Sequence, residues 1–119
     1  MRIAFTFPGQ GSQAVGMTQK MAESFEEARL VLEEVDEALS QNLSKLMAEG
    51  PIEELTLTAN TQPALLAASM VAVRVLEKQG GFELANKADF VAGHSLGEYS
   101  ALTAIGALSL TDAARLLRL

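Results

Sequence analysis

Apolar positions follow different rhythms along this chain, and each rhythm predicts an element. Ile3 to Phe7 is a compact apolar run halted by Pro8-Gly9, the pattern of a short strand. Gly9-Gln10-Gly11-Ser12-Gln13 then contains no apolar side chain and reads as a loop. Phe25, Ala28, Leu32, Val35 and Leu39 recur at spacings of three and four, which predicts one amphipathic helix over 22–40. Glu26, Glu27, Glu33, Glu34 and Glu37 lie mostly off that stripe, as a solvated face does.

Asn42 to Glu49 predicts a short helix ended by Gly50-Pro51, with another short turn over Ile52 to Leu55. Thr61-Gln62-Pro63 opens a long helix to about Gln79, the proline falling in its first turn, where a missing N–H costs nothing. From Ala64 to Val73 this helix is apolar on nearly all faces, so it is expected to be central and buried. Gly80-Gly81 stops it. Asp89-Phe90-Val91-Ala92 reads as a short buried strand, and Leu96 to about Ile105 as a helix. The last helix is expected to start at the capping signal Thr111-Asp112 and to run through Arg115 to Leu119 with no stop signal. Two strands around a helical middle make an α/β fold class, with 1–119 as one unit. Two strands are a poor sheet, so further strands or layers are expected outside it.

Composition narrows the chemistry. The chain has 119 residues, 49% of them hydrophobic, enough for a core. A net charge of −6, with no Lys/Arg cluster, argues against nucleic acid as a partner. The absence of cysteine excludes thiol catalysis and disulfides, and a single histidine argues against a metal site. The start Met1-Arg2-Ile3-Ala4-Phe5 is too brief for a signal peptide, and the longest apolar run, Pro63 to Val73, is too short to span a bilayer. A soluble, cytoplasmic protein that binds no membrane is the expectation.

Gly93-His94-Ser95-Leu96-Gly97 is a G-x-S-x-G between an expected strand and an expected helix, the arrangement of a nucleophile elbow. There the serine sits on a sharp turn that presents its hydroxyl, and glycines two residues to either side let strand and helix approach. The N–H of Leu96, at the start of the helix, is a natural oxyanion donor. A tight strand-to-helix turn carrying an inert serine is the competing use of the same residues.

Gly9-Gln10-Gly11-Ser12-Gln13-Ala14 also fits the dinucleotide fingerprint G-x-G-x-x-A after a strand. That reading needs a second strand ending in an acidic residue about 20 residues on, where this chain places a charged helix. The alternative is a loop whose backbone amides face Ser95 as the second half of an oxyanion hole. An activated serine also needs a base within reach. His94 is the only histidine, and neighbours at a strand end point to opposite sides, so its ring does not easily reach Ser95 Oγ. It either packs beside the site or contacts substrate. Lys20, Lys45, Lys78 and Lys87 all stand in polar settings. The nucleophile is present and its base is not.

Phe7-Pro8-Gly9-Gln10-Gly11-Ser12-Gln13, Thr61-Gln62-Pro63-Ala64-Leu65 and Gly93-His94-Ser95-Leu96-Gly97-Glu98-Tyr99-Ser100-Ala101-Leu102 together resemble the malonyl-CoA:acyl-carrier-protein transacylases of bacterial fatty-acid synthesis. The likeness spans essentially the whole chain, in the family's order and spacing. It implies ping-pong transfer of a malonyl group from malonyl-CoA, through an ester on Ser95, to the phosphopantetheine thiol of acyl carrier protein. It implies an oxyanion hole from the backbone N–H groups of Gln10 and Leu96 and places Gln62 near the active site; Gly9, Gln62 and His94 are the residues expected to border the substrate pocket. No cofactor and no metal are expected. Leu96 after the serine is similar to the stand-alone malonyl type.

The same resemblance implies that residues 1–119 are the N-terminal part of an α/β-hydrolase-like large subdomain. The family's general-base histidine, its ferredoxin-like small subdomain and the arginine that pairs with the malonyl carboxylate (immediately after Leu119 by spacing) then lie outside this chain. The rest of the enzyme would be a partner in cis or another chain, and residues 1–119 alone would be inactive. A serine hydrolase and a non-catalytic truncated binding module are the alternatives.

Overall fold

A computed structural model describes residues 2–119. Strand β1, Ala4–Phe7, is followed by the glycine loop and then by α1, Gln19–Ser24; α2, Glu26–Leu39; α3, Leu43–Glu49; and α4, Ile52–Thr56. The long α5, Thr58–Gly80, leads to α6, Leu84–Lys87, and to β2, Phe90–Gly93. Helices α7, Gly97–Ala104, and α8, Leu110–Arg118, complete the order.

β1 and β2 pair in parallel, Ala4 opposite Phe90 and Phe7 opposite Gly93. The pairing begins where Asp89 meets Ile3: the Ile3 N–H donates to the Asp89 carboxylate at 2.6 Å, and the Asp89 N–H donates to the Ile3 carbonyl at 2.8 Å. Parallel strands need a long crossover, and the helices between residues 19 and 87 supply it. The register aligns the C-terminal ends of both strands, so the loop after Phe7 and the turn after Gly93 emerge at one edge.

α5 is the central element, packed against α2, α7 and α8. Leu65, Leu66, Met70 and Val71 from α5 meet Val31 and Val35 from α2 and Ala113 and Leu117 from α8 in one continuous core. Each fully buried side chain of leucine size contributes about 1.5–3 kcal/mol, so this seam rather than the two-stranded sheet holds the chain together. The burial expected over Ala64 to Val73 holds for residues 64–67, Met70, Val71 and Val73, while Ala68 and Ser69 are half-buried and Ala72 is exposed; the helix is capped by Gly81, which takes φ +67°.

Several sequence expectations are corrected. The helix expected over 22–40 is two helices, broken at Phe25, which is extended at φ −132° and ψ 129°. Leu39 is only half-buried, whereas Val31, outside the expected stripe, is in the core. α5 begins at Thr58 rather than Thr61, so Pro63 lies inside the helix. That position is tolerated because Arg118 Nε donates at 3.0 Å to the carbonyl of Ala59, the group left without the N–H that a proline lacks. α8 starts at Leu110, capped by Ser109, whose hydroxyl accepts the Asp112 N–H at 3.1 Å; Thr111 and Asp112 lie inside the helix. α6 was not expected at all.

The second strand is not the buried element expected of it, because Phe90 and Ala92 are exposed. With Ala4 and Thr6 beside them in register, they form a sheet face that no element among the described residues covers. The opposite face, carrying Phe5 and Phe7, packs toward the core. Parallel sheets are ordinarily covered on both faces, and here only one is.

Candidate active site

The elbow forms where β2 ends. Ser95 has φ +57°, a left-handed conformation that costs a non-glycine residue about 1–3 kcal/mol and that recurs at functional turns. The two glycines of the motif explain how the turn closes. A methyl placed on Gly93 would fall 1.9 Å from the Gly97 carbonyl carbon. One placed on Gly97 would fall 2.3 Å from the Phe7 carbonyl oxygen at the end of β1. Strand, turn and helix therefore approach as only glycine permits. The Gly97 N–H donates to the His94 carbonyl at 3.0 Å and the Glu98 N–H to the Ser95 carbonyl at 3.0 Å, which fastens the turn to the first residues of α7.

The glycine loop lies against this turn. Gly9 is buried, and a side chain there would fall 2.5 Å from the His94 carbonyl oxygen and 3.0 Å from His94 Nδ1. Residues 85 positions apart in sequence are thus in contact through the missing Cβ of Gly9. The ladder extends to the same place, the His94 N–H donating to the Phe7 carbonyl at 3.2 Å. The Gly11 N–H is held by the Gln13 side chain at 2.8 Å. Among the described residues, the N–H groups of Gln10 and Leu96 meet no acceptor. Such unspent donors at the mouth of an elbow are free to meet an anion.

Ser95 is exposed, and no hydrogen bond among the described residues reaches its hydroxyl. His94 is exposed too, its ring set against Gly9 rather than bonded to Ser95. The half-buried Gln62 sits on α5, one residue before Pro63, and makes no hydrogen bond to the elbow. The structure thus brings Gly9, His94, Ser95 and Leu96 together, with Gln10 beside them in the loop. No three His, Cys, Asp or Glu side chains among the described residues are grouped to hold a metal ion. An apolar groove of about 370 Å³, lined in part by Phe5, Phe7, Pro8 and Leu65, runs beneath the loop but does not include Ser95.

Sequence reasoning missed Thr58, whose hydroxyl accepts from Gln10 Nε2 at 3.5 Å and ties the loop to the first turn of α5. No local pattern marks that contact across 48 positions. It also missed Arg118, for which the signal available was the proline at 63 and the carbonyl it strands.

The described residues contain no helix long and apolar enough to cross a membrane. A family model described as "Acyl transferase domain" matches residues 4–119. The malonyl CoA-acyl carrier protein transacylase of Bacillus subtilis strain 168 is 51% identical over 112 residues, covering 94% of this chain and 34% of that protein. The Escherichia coli K12 protein of the same name is 48% identical over 118 residues, covering 99% of this chain and 37% of its own length. Among solved structures, the acyl-carrier-protein-S-malonyltransferase of Bartonella henselae superposes with a TM-score of 0.95 at 61% identity, covering 99% of this chain and 37% of that one. A malonyl-transacylase in complex with a type II polyketide acyl-carrier protein superposes with a TM-score of 0.91 at 42% identity. The chain spans little more than a third of the length of these relatives. With its elbow, its glycine loop and a family match over nearly every residue, this chain belongs to the acyl transferase domain family.

Proposed function

We propose that this chain supplies the nucleophile and oxyanion hole of a cytoplasmic malonyl-CoA:acyl-carrier-protein transacylase. Ser95 Oγ attacks the thioester carbonyl carbon of malonyl-CoA, and its proton passes to a base outside residues 1–119. The carbonyl oxygen, now an anion, takes hydrogen bonds from the Gln10 and Leu96 N–H groups. Collapse breaks the C–S bond, coenzyme A leaves as its thiol after taking up the proton, and a malonyl ester remains on Ser95. The phosphopantetheine thiol of acyl carrier protein then attacks the ester carbonyl, and Ser95 recovers its proton as the malonyl thioester departs.

One observation carries this reading. Ser95 is held at φ +57° between Gly93 and Gly97, with the unspent N–H of Leu96 beside it and the glycine loop against the turn. An oxyanion donor of this kind is worth about 10²–10³ in rate where it has been removed from other enzymes. Gly9, His94 and Gln62 border the substrate in this reading: Gly9 by leaving room at the turn, His94 beside the acyl group, and Gln62 from α5. The names of the relatives support malonyl as the acyl group, and the carrier complex among the similar structures supports the acceptor.

Water in place of the carrier thiol would make the same elbow a hydrolase. Full-length enzyme containing these residues, given malonyl-CoA and holo acyl carrier protein, should yield carrier heavier by one malonyl group in its intact mass. Free malonate as the main product, with the carrier unmodified, would overturn the transfer reading in favour of hydrolysis.

A further inference from the structure

Pro63 is the sixth residue of α5, deep enough in the helix for its missing N–H to leave the Ala59 carbonyl without its usual donor. Arg118, on the last turn of α8, fills that vacancy from 59 positions away, with Nε 3.0 Å from the Ala59 oxygen. The same guanidinium donates through Nη2 to Gln41 Oε1 at 2.5 Å and lies 3.5 Å from Asn60 Oδ1. Asn60 in turn donates to the Glu54 carbonyl at 2.9 Å and accepts from Gln41 Nε2 at 3.2 Å. One half-buried side chain therefore joins the segment after α2, the start of α5 and the end of α8, and Asn60 carries the link on to α4. The planar fork of arginine suits several fixed acceptors at once, which a lysine ammonium does not.

The turn that Arg118 secures is the one that faces the reactive loop. Thr58, next to Ala59, accepts from the Gln10 side chain, and Gln62 lies on the following turn. We propose that Arg118 is a positioning residue for the Ser95 site: it replaces the hydrogen bond Pro63 cannot make, sets the first turn of α5, and through Thr58 sets the loop that carries the Gln10 N–H. This rests on the assignment of Gln10 as an oxyanion donor. Arg118 touches no substrate in this account, so its effect falls on the rate of acylation rather than on binding.

The test is a cycle in the full-length enzyme. Arg118→Met removes the guanidinium and keeps much of the stem. It should slow acylation of Ser95 at saturating malonyl-CoA about tenfold, within the range that small misplacements of catalytic groups produce, with KM within about twofold. Pro63→Ala gives residue 63 an N–H for the Ala59 carbonyl. In that background Arg118→Met should therefore slow acylation by no more than about threefold, a coupling that independent sites do not show. Arg118→Lys should fall between the wild type and Arg118→Met. Acylation by Arg118→Met at the wild-type rate, or loss of the same factor in both backgrounds, would overturn the proposal. If Arg118→Met does not fold, the double variant decides: recovery of folding and acylation supports the clamp, and failure refutes it. A wild-type enzyme that forms no ester on Ser95 would instead overturn the transferase reading itself.

Discussion

Replacing Gly93 with alanine perturbs the point at which strand, turn and helix meet. The new methyl would fall 1.9 Å from the Gly97 carbonyl carbon, 2.0 Å from its oxygen and 2.3 Å from the Glu98 nitrogen. All three are backbone atoms, so no side chain can swing aside. Ordinary contact begins at 3.4 Å, which requires the start of α7 to retreat by roughly 1.5 Å. Overpacking of this kind costs about 3 kcal/mol, the upper end of the usual range, because the displaced backbone is itself packed against β1 through Gly97. The retreat also carries Leu96 and Ser95 away from the loop, and a misplacement near 1 Å costs on the order of 10² in rate. Gly81→Ala is the control: Gly81 is left-handed, at φ +67°, as Gly93 is not, and a methyl there meets nothing within 4 Å. It should cost about 1–2 kcal/mol through backbone strain alone and leave Ser95 reactive. Calorimetry and the rate of Ser95 acylation in the full-length enzyme measure both effects. Wild-type acylation by Gly93→Ala, with a melting temperature no lower than that of Gly81→Ala, would refute the reasoning.

Ser100 is fully buried in α7, and its hydroxyl has no hydrogen-bond partner among the described residues. Ser100→Ala should therefore raise stability by about 1 kcal/mol, read as a higher melting temperature, and a fall of several degrees would show that the hydroxyl has a partner after all. Residues 1–119 expressed alone should self-associate and transfer no malonyl group, because among the described residues nothing covers the sheet face bearing Phe90, which is 58% exposed, and no side chain hydrogen-bonds to Ser95. A cooperative monomer in light scattering and calorimetry, with activity near that of the full-length enzyme, would contradict both halves of that expectation.

The elbow was legible because its constraints are local. Gly93 and Gly97 are needed within a five-residue turn, and the flanking apolar runs show which side is strand and which is helix. The contact between Gly9 and His94 was not legible as geometry, since it depends on a parallel pairing whose register no short window contains. Pro63 misled for a related reason. Proline near a helix start is read as its first turn, but here a tertiary donor, Arg118, supplies what the proline lacks and lets the helix begin earlier. At α8 the cap was expected at Thr111-Asp112, whereas the hydroxyl of Ser109, two residues before Thr111, accepts the Asp112 N–H. The break at Phe25 is invisible to periodicity, because the apolar spacing runs through the junction while the backbone turns extended for one residue. The exposure of β2 reflects which neighbours the strand has, a property no strand's own residues encode.

The central claim is that Ser95 carries the acyl group. Full-length enzyme incubated with radiolabelled malonyl-CoA, quenched in acid before carrier is added, and digested should place the label on the peptide containing Ser95. The label should be lost on treatment with hydroxylamine, as an oxygen ester is, and absent from Ser95→Ala. Label undiminished in Ser95→Ala, or attached to any other residue, would contradict the account.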